Sequence, residues 1–177
     1  MLSEQATELS QKSEEDEKQI QKNQNLRYQS FNLSIKPFEG NNFQTLIDID
    51  KKCFNVYDSY TQEMFESLLD ENPNSFYVLY SDEKIIGYFI IYRYRRGGYL
   101  ESIAIKPEYQ GLGIGSYLMD YIINYYKLLR YKHITLEVRP NNFSAIRMYQ
   151  RLGFEEVKKL KGYYKDGMEA ILMKKTL

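Results

Sequence analysis

A chain of 177 residues with 43% hydrophobic and 27% charged side chains has the size and composition of one soluble globular domain. The single cysteine, Cys53, excludes an internal disulfide. With His133 as the one histidine there is no Cys/His zinc cluster either, and no metal is expected. The net charge of zero is divided unevenly, with 7 Lys/Arg against 16 Asp/Glu in residues 1–83 and 17 against 8 in residues 84–177. The basic second half suits a polyanion or a phosphate-bearing cofactor and does not choose between them.

Residues 1–28 are rich in Gln, Glu, Lys and Ser and hold no aromatic side chain before Tyr28. They bury too little apolar area to offset the entropy of ordering, and are read as a mobile polar extension ahead of a domain at 29–177. No stretch approaches the roughly 18 consecutive apolar residues of a membrane span. The first residues lack the basic start and apolar run of a secretory signal, so a cytoplasmic protein is expected.

Along the domain, Phe31 to Ile35 predicts a strand, and an Asn cap at Asn41 or Asn42 opens an amphipathic helix to about Phe54. A loop at Asn55 to Tyr60 and a short helix at Thr61 to Leu69 follow. Ser75 to Tyr80, an Asp82/Glu83 turn and "KIIGYFIIYRY" read as an antiparallel hairpin, and Gly98 to Ile105 as the next strand. A glycine stretch feeds a helix to about Leu129. "HITLEV" (His133 to Val138) is a strand, Asn142 caps a helix to Leu152, and "GFEEVKKLKGYY" with "MEAILMKK" closes the chain as a strand pair. The order β-α-α-β-β-β-α-β-α-β-β predicts an α/β (α+β) domain, a mixed sheet with helices on both faces.

"EYQGLGIGSYL" (Glu108 to Leu118) is the most informative stretch. A P-loop needs a Lys before its Ser, whereas Gly115 runs directly into Ser116; the dinucleotide fingerprint needs GxGxxG, whereas Gly111, Gly113 and Gly115 give GxGxG. What remains is Gln110-x-x-Gly113-x-Gly115 between a strand and a helix. Uncovered backbone N–H groups at a helix N-terminus favour a pyrophosphate. A plain strand-to-helix turn is the alternative.

Downstream, "LEVRPNNFSAIRMYQRLGF" (Leu136 to Phe154) and "KGYYKDGMEAILM" follow in order. With "SIAIKPEYQGLGIG" these stretches resemble the GNAT superfamily of acetyl-CoA-dependent N-acetyltransferases, and within it the RimI and archaeal NatA-type enzymes that acetylate protein N-termini. The resemblance covers about Asn32 to Lys174. It implies the GNAT fold, with a mostly antiparallel twisted sheet splayed between its fourth and fifth strands. It also implies that acetyl-CoA lies along Ile103, Ala104 and Ile105, with the backbone of Ile103 and Ile105 on the pantetheine arm. Its pyrophosphate is expected on Gln110, Gly111, Leu112, Gly113, Ile114, Gly115 and Ser116. Asn142 matches a pantetheine-contacting Asn and is also a plain N-cap.

Acetyl transfer requires that the amine lose a proton, that the thioester carbonyl be polarised and that the departing thiolate be protonated. Glu137 is the candidate base. Strand alternation places it with His133 and Thr135, opposite Ile134, Leu136 and Val138, and a carboxylate on a central strand is costly unless paired or functional. The alternative is a structural acid paired with Arg139 or a lysine. By resemblance Tyr149 is the general acid and a cofactor contact; helical spacing with Ala145, Ile146 and Leu152 also fits core packing. Tyr99 matches a position that carries a second acid/base residue in some relatives and is placed among the substrate-facing residues. Tyr163 and Tyr164 match a pair that clamps the substrate peptide, with an aromatic hairpin packed on the sheet as the alternative. Cys53 reads as a small apolar group rather than a nucleophile, which favours direct transfer, and His133 as a surface or satisfied residue.

Many relatives carry Phe-Pro or Leu-Pro and then an acid in the loop facing the substrate, where this chain has Phe54-Asn55-Val56-Tyr57. Phe54, Val56 and Tyr57 are therefore expected to make an apolar wall. The resemblance implies a polypeptide N-terminus as substrate, with a ribosome or an auxiliary subunit as conceivable partners. The rivals are the same fold acting on a lysine side chain or small amine, and a CoA- or partner-binding module without catalysis. No motif for reading nucleic acid accompanies the basic half.

Overall fold

A computed structural model of the chain describes residues 31–40 and 43–177. The polar extension at 1–28 and the caps expected at Asn41 or Asn42 lie outside the described residues. In chain order the elements are β1 (Leu33–Pro37), α1 (Gln44–Cys53), α2 (Gln62–Glu71), β2 (Phe76–Ser81), β3 (Lys84–Tyr94) and β4 (Gly97–Ile105). A 3-10 turn at Pro107–Tyr109 then leads to α3 (Ile114–Leu128), β5 (His133–Val138), α4 (Phe143–Arg151), β6 (Glu155–Leu160) and β7 (Ala170–Thr176). The predicted order is the observed one. Strand β1 starts two residues later than expected and runs to Pro37.

The seven strands form one open sheet in the order β1-β2-β3-β4-β5-β7-β6. Every neighbouring pair is antiparallel except β4 with β5. One apolar cluster joins the sheet to α3 and α4 through Phe89, Leu100, Leu136, Tyr117, Leu118 and Tyr149. The other joins it to α1 and α2 through Val78, Tyr88, Ile90, Leu46, Ile49 and Phe65. Helices therefore cover both faces, as the element order implies.

Two features of β4 position the site. Its pairing with β5 runs from Gly97 opposite His133 to Leu100 opposite Leu136 and stops there, so Glu101 to Ile105 lie along an edge that β5 has left. The ladder with β3 shifts at the same place, pairing Ile90 with Ser102 and Ile91 with Leu100, which leaves Glu101 as the extra residue of a β-bulge. The bulge resets the alternation of side chains. Leu100 and Ile105 join the α3/α4 core, and Ile103 packs against it, while Ala104 joins the α1/α2 core.

Candidate active site

The open edge of β4 meets the start of α3. Lys106 donates its backbone N–H to the carbonyl of Ile86 at 2.8 Å. Because amide groups alternate sides along a strand, Ala104 also turns its groups toward β3, and Ile103 and Ile105 turn theirs to the edge left by β5. The Ile105 carbonyl accepts the Gln110 side-chain N–H at 2.8 Å and the Cys53 thiol at 3.1 Å. Gly111 and Gly113 have φ of +74° and +83°, left-handed conformations that glycine alone adopts at little cost. Gly113 is the N-cap of α3 and supplies no side chain to its first N–H groups. Gly115 is small for another reason: a Cβ there would lie 3.0 Å from the Met148 sulfur, so it sets the approach of α4 to α3. Ile114 is buried in the core and Leu112 is exposed, so what this turn offers a ligand is backbone. These are groups that fit a pantetheine arm and a pyrophosphate, the parts of acetyl-CoA.

Glu137 lies on β5 just beyond the last β4–β5 pair. The Tyr99 hydroxyl donates to its Oε2 at 2.5 Å, and Tyr163 lies 3.3 Å from the Tyr99 oxygen. Burial first, and then the charge of Glu101, push the Glu137 carboxyl above its ordinary value against the lowering effect of the Tyr99 hydrogen bond. Burial first, with the hydrogen bond to Glu137 second, pushes the Tyr99 phenol up, so it keeps its proton as a donor. Among the described residues no cation pairs with Glu137. Tyr149, on α4, is 5% exposed and packs against Phe154 with ring centroids 5.7 Å apart. Its phenol is pushed up by burial, and no described residue hydrogen-bonds its hydroxyl.

Two loops flank these groups, and Arg139 ties them together. Its guanidinium donates from Nε and Nη2 to the two carboxylate oxygens of Asp58, at 2.5 and 2.7 Å, in the loop between α1 and α2. From Nη1 it donates to Asp166 at 2.9 Å in the β6–β7 loop. It stacks 3.8 Å above the Tyr164 ring. Asp58 and Arg139 are each 13% exposed in their side chains, so this bidentate pair is shielded from water and is worth more than an exposed one.

The profile of the Acetyltransferase (GNAT) family matches residues 43–154. The chain belongs to the GNAT family of acetyltransferases. It is 34% identical over 142 residues to an uncharacterised N-acetyltransferase of Methanocaldococcus jannaschii, covering 80% of this chain and 90% of that one. It is 33% identical over 133 residues to an N-alpha-acetyltransferase of Saccharolobus solfataricus, covering 68% and 80%. Among solved structures, Ard1 from Thermoplasma volcanium superposes with a TM-score of 0.74 at 27% identity, over 82% of this chain and 97% of that one.

In this acetyltransferase the expected residues lie in several distinct places. Ile103, Ile105, Gly111, Gly113, Ile114, Gly115 and Ser116 gather at the splay and the start of α3, while Ala104 faces away from the open edge, with its backbone on β3 and its methyl in the α1/α2 core. Gln110 is spent on the Ile105 carbonyl, and Asn142 caps α4 by accepting the Ala145 N–H at 3.2 Å. Glu137, Tyr99 and Tyr163 come together in one hydrogen-bonded cluster at the end of the β4–β5 pairing. Arg139 pairs with two aspartates and not with Glu137. Phe54 packs against the α1/α2 core, whereas Val56 and Tyr57 are 83% and 54% exposed and project from the loop. Cys53 is half-buried with its thiol pushed up by burial, which disfavours a nucleophilic thiolate.

Sequence reasoning passed over Glu101, which accepts the Tyr60 and Tyr92 hydroxyls at 2.8 and 3.0 Å, and Asp50, a fully buried carboxyl on α1. Asp50 accepts the Tyr88 hydroxyl and, at 2.7 Å, the backbone N–H of Tyr60, and so fixes the end of the α1–α2 loop. An Asp on the apolar face of an amphipathic helix, three and four residues on from Ile47 and Leu46, was the available signal.

Proposed function

We propose that this acetyltransferase acts on the free α-amino group of polypeptide N-termini, taking acetyl from acetyl-CoA by direct attack in a ternary complex. The observation that carries the reading is Glu137: a half-buried carboxylate at the mouth of the splay, partnered by phenols and by no described cation. The α-amino acceptor is favoured by relatives bearing the name N-alpha-acetyltransferase, and by a Bacillus subtilis relative, 32% identical, named a putative ribosomal protein bS18-alanine N-acetyltransferase.

The chemistry follows from the placement of the chain's own groups. Bound acetyl-CoA supplies a thioester whose carbonyl carbon accepts the amine. Ile103, Ile105 and the turn at Gly111–Gly113 hold it by backbone groups, which leaves the side chains of the acceptor side free for proton transfer. An α-amino group titrates at about 8 and so sheds its proton with mild assistance, which Glu137 provides. As the N–C bond forms and the C–S bond breaks, Tyr149 donates its phenolic proton to the leaving sulfur. The second proton shed by the nitrogen goes to water, and the phenol is restored from there.

A lysine side chain titrates near 10.4 and requires more of the base. Mass spectrometry of one Met-starting peptide carrying both a free N-terminus and an internal lysine tests the reading, with an N-terminally blocked control. The expected product is acetylated at the N-terminus, and Met-starting peptides react at least as well as Ser- or Ala-starting ones. Acetylation confined to lysine, or undiminished by the block, moves the protein to the side-chain class.

A further inference from the structure

Glu137 is one of two carboxylates on the acceptor side. The bulge in β4 turns Glu101 toward the α1/α2 face, where Tyr60 Oη donates to Oε1 at 2.8 Å and Tyr92 Oη donates to Oε2 at 3.0 Å. The Tyr92 and Tyr99 rings pack with centroids 5.2 Å apart, so the Glu101 pair and the Glu137 pair are adjoining parts of one surface. The described ion pairs join Arg139 to Asp58 and Asp166 and Lys159 to Glu169; none reaches Glu101 or Glu137. Phenols orient a carboxylate without neutralising it. Each carboxylate has about four lone-pair sites, and two phenols leave Glu101 with acceptor capacity to spare. Glu101 is half-buried, like Glu137, and part of its surface stays open to a ligand.

Two like charges held near each other are costly unless a cation sits between them. The loop that closes this side contributes Phe54, Asn55, Val56 and Tyr57, and its one carboxylate, Asp58, is engaged by Arg139. We infer that Glu101 is the positioning residue that holds the α-ammonium of the incoming peptide beside Glu137, an assignment that rests on the α-amino acceptor proposed above. At neutral pH most peptide N-termini are protonated, since the group titrates at about 8. The charged form is therefore the one that arrives, and a fixed carboxylate separate from the base lets the enzyme select it before the proton is removed. The phenols of Tyr60 and Tyr92 fix where that carboxylate points, and the buried Asp50 anchors Tyr60 through its backbone.

The test measures binding without turnover. Wild-type enzyme saturated with CoA, which carries no acetyl group, is titrated with the peptide Met-Leu-Ala-Gly-Gly and with its des-amino counterpart, in which hydrogen replaces the α-amino group. Wild type is expected to prefer the amino peptide by about tenfold or more, as a charge-assisted contact implies. Glu101→Gln should erase most of that preference, while Glu101→Asp and Glu137→Gln retain a substantial part. Unchanged CoA affinity shows that each variant is folded, and Glu101→Thr serves where the glutamine variant does not fold. A preference undiminished in the uncharged variants overturns the role of Glu101 alone. Failure of both peptides to bind wild type overturns the α-amino acceptor, and this assignment with it.

Discussion

The two sides of the splayed sheet are built from different materials. The proposed cofactor side is backbone: the open edge of β4, two left-handed glycines and an uncapped helix start, all within Ile103 to Ser116. The proposed acceptor side is side chains, drawn from Tyr60, Tyr92, Tyr99, Glu101, Glu137 and Tyr163 on five separate segments and held by phenol–carboxylate hydrogen bonds. A backbone site responds to conformation and little to side-chain chemistry. A side-chain site can lose its function to one isosteric change with the fold intact.

The largest effect should come from the acceptor side. Glu137→Gln should lower kcat by roughly 10² or more, the scale of general base catalysis, with acetyl-CoA affinity unchanged. Steady-state kinetics beside a calorimetric titration separates the two, and loss of acetyl-CoA binding in this variant would erase the division between the sides. On the cofactor side, Gly113→Val places a β-branched residue at φ +83°, a strain of about 1–2 kcal/mol. Acetyl-CoA affinity should fall about tenfold, whereas Leu112→Ala, which removes an exposed side chain from the same turn, should leave it nearly unchanged. Equal affinities for the two variants would show that side chains, not backbone, hold the cofactor.

A smaller effect is expected where the two loops are tied. Arg139→Lys keeps the charge but loses the fork that grips both oxygens of Asp58 and the stacking on Tyr164, so the peptide KM should rise roughly fivefold, about 1 kcal/mol, with kcat little changed. A fall in kcat at constant KM would instead place Arg139 in the chemistry. The smallest effect concerns Asp50, whose carboxyl is raised chiefly by burial, against the lowering hydrogen bonds from Tyr88 and Tyr60. A raised folded-state value means that wild type gains stability as acid neutralises this group and loses it as pH rises through that value. Asp50→Asn has no such proton to bind. Its stability relative to wild type should therefore decline in urea melts as pH falls from neutrality toward the ordinary aspartate value of about 3.9, whereas parallel profiles would mean that Asp50 ionises in the folded chain as it does in the unfolded one.

The same division explains what the sequence disclosed. The cofactor side is contiguous, so its glycines and its place between strand and helix stand in a single line of text. Even there, Gly115 proved to answer to Met148 across a helix contact, which no local spacing reveals. On the acceptor side the alternation of "HITLEV" placed Glu137 because β5 is regular. Period-two counting along β4 instead puts Tyr99, Glu101, Ile103 and Ile105 on one face, and the bulge at Glu101 breaks that set in two. A structural pairing with Arg139 was the alternative to a base at Glu137, and Arg139 instead pairs with aspartates 81 and 27 residues away, which no local spacing discloses.

The most direct test of the unpaired base is the ratio of wild-type to Glu137→Gln kcat with a saturating Met-starting peptide, measured from mildly acidic to mildly alkaline pH. Glutamine cannot take the proton, so the variant turns over only peptide whose amine is already neutral, a fraction that falls below about pH 8. A base at Glu137 requires a ratio of about 10² or more above neutrality. Wild-type kcat should decline on acidification as Glu137 is neutralised, and the decline should begin above the ordinary glutamate value near 4.3, because burial raises this carboxyl. A ratio that stays near one, or a wild-type kcat that does not fall on acidification, would contradict proton removal by Glu137.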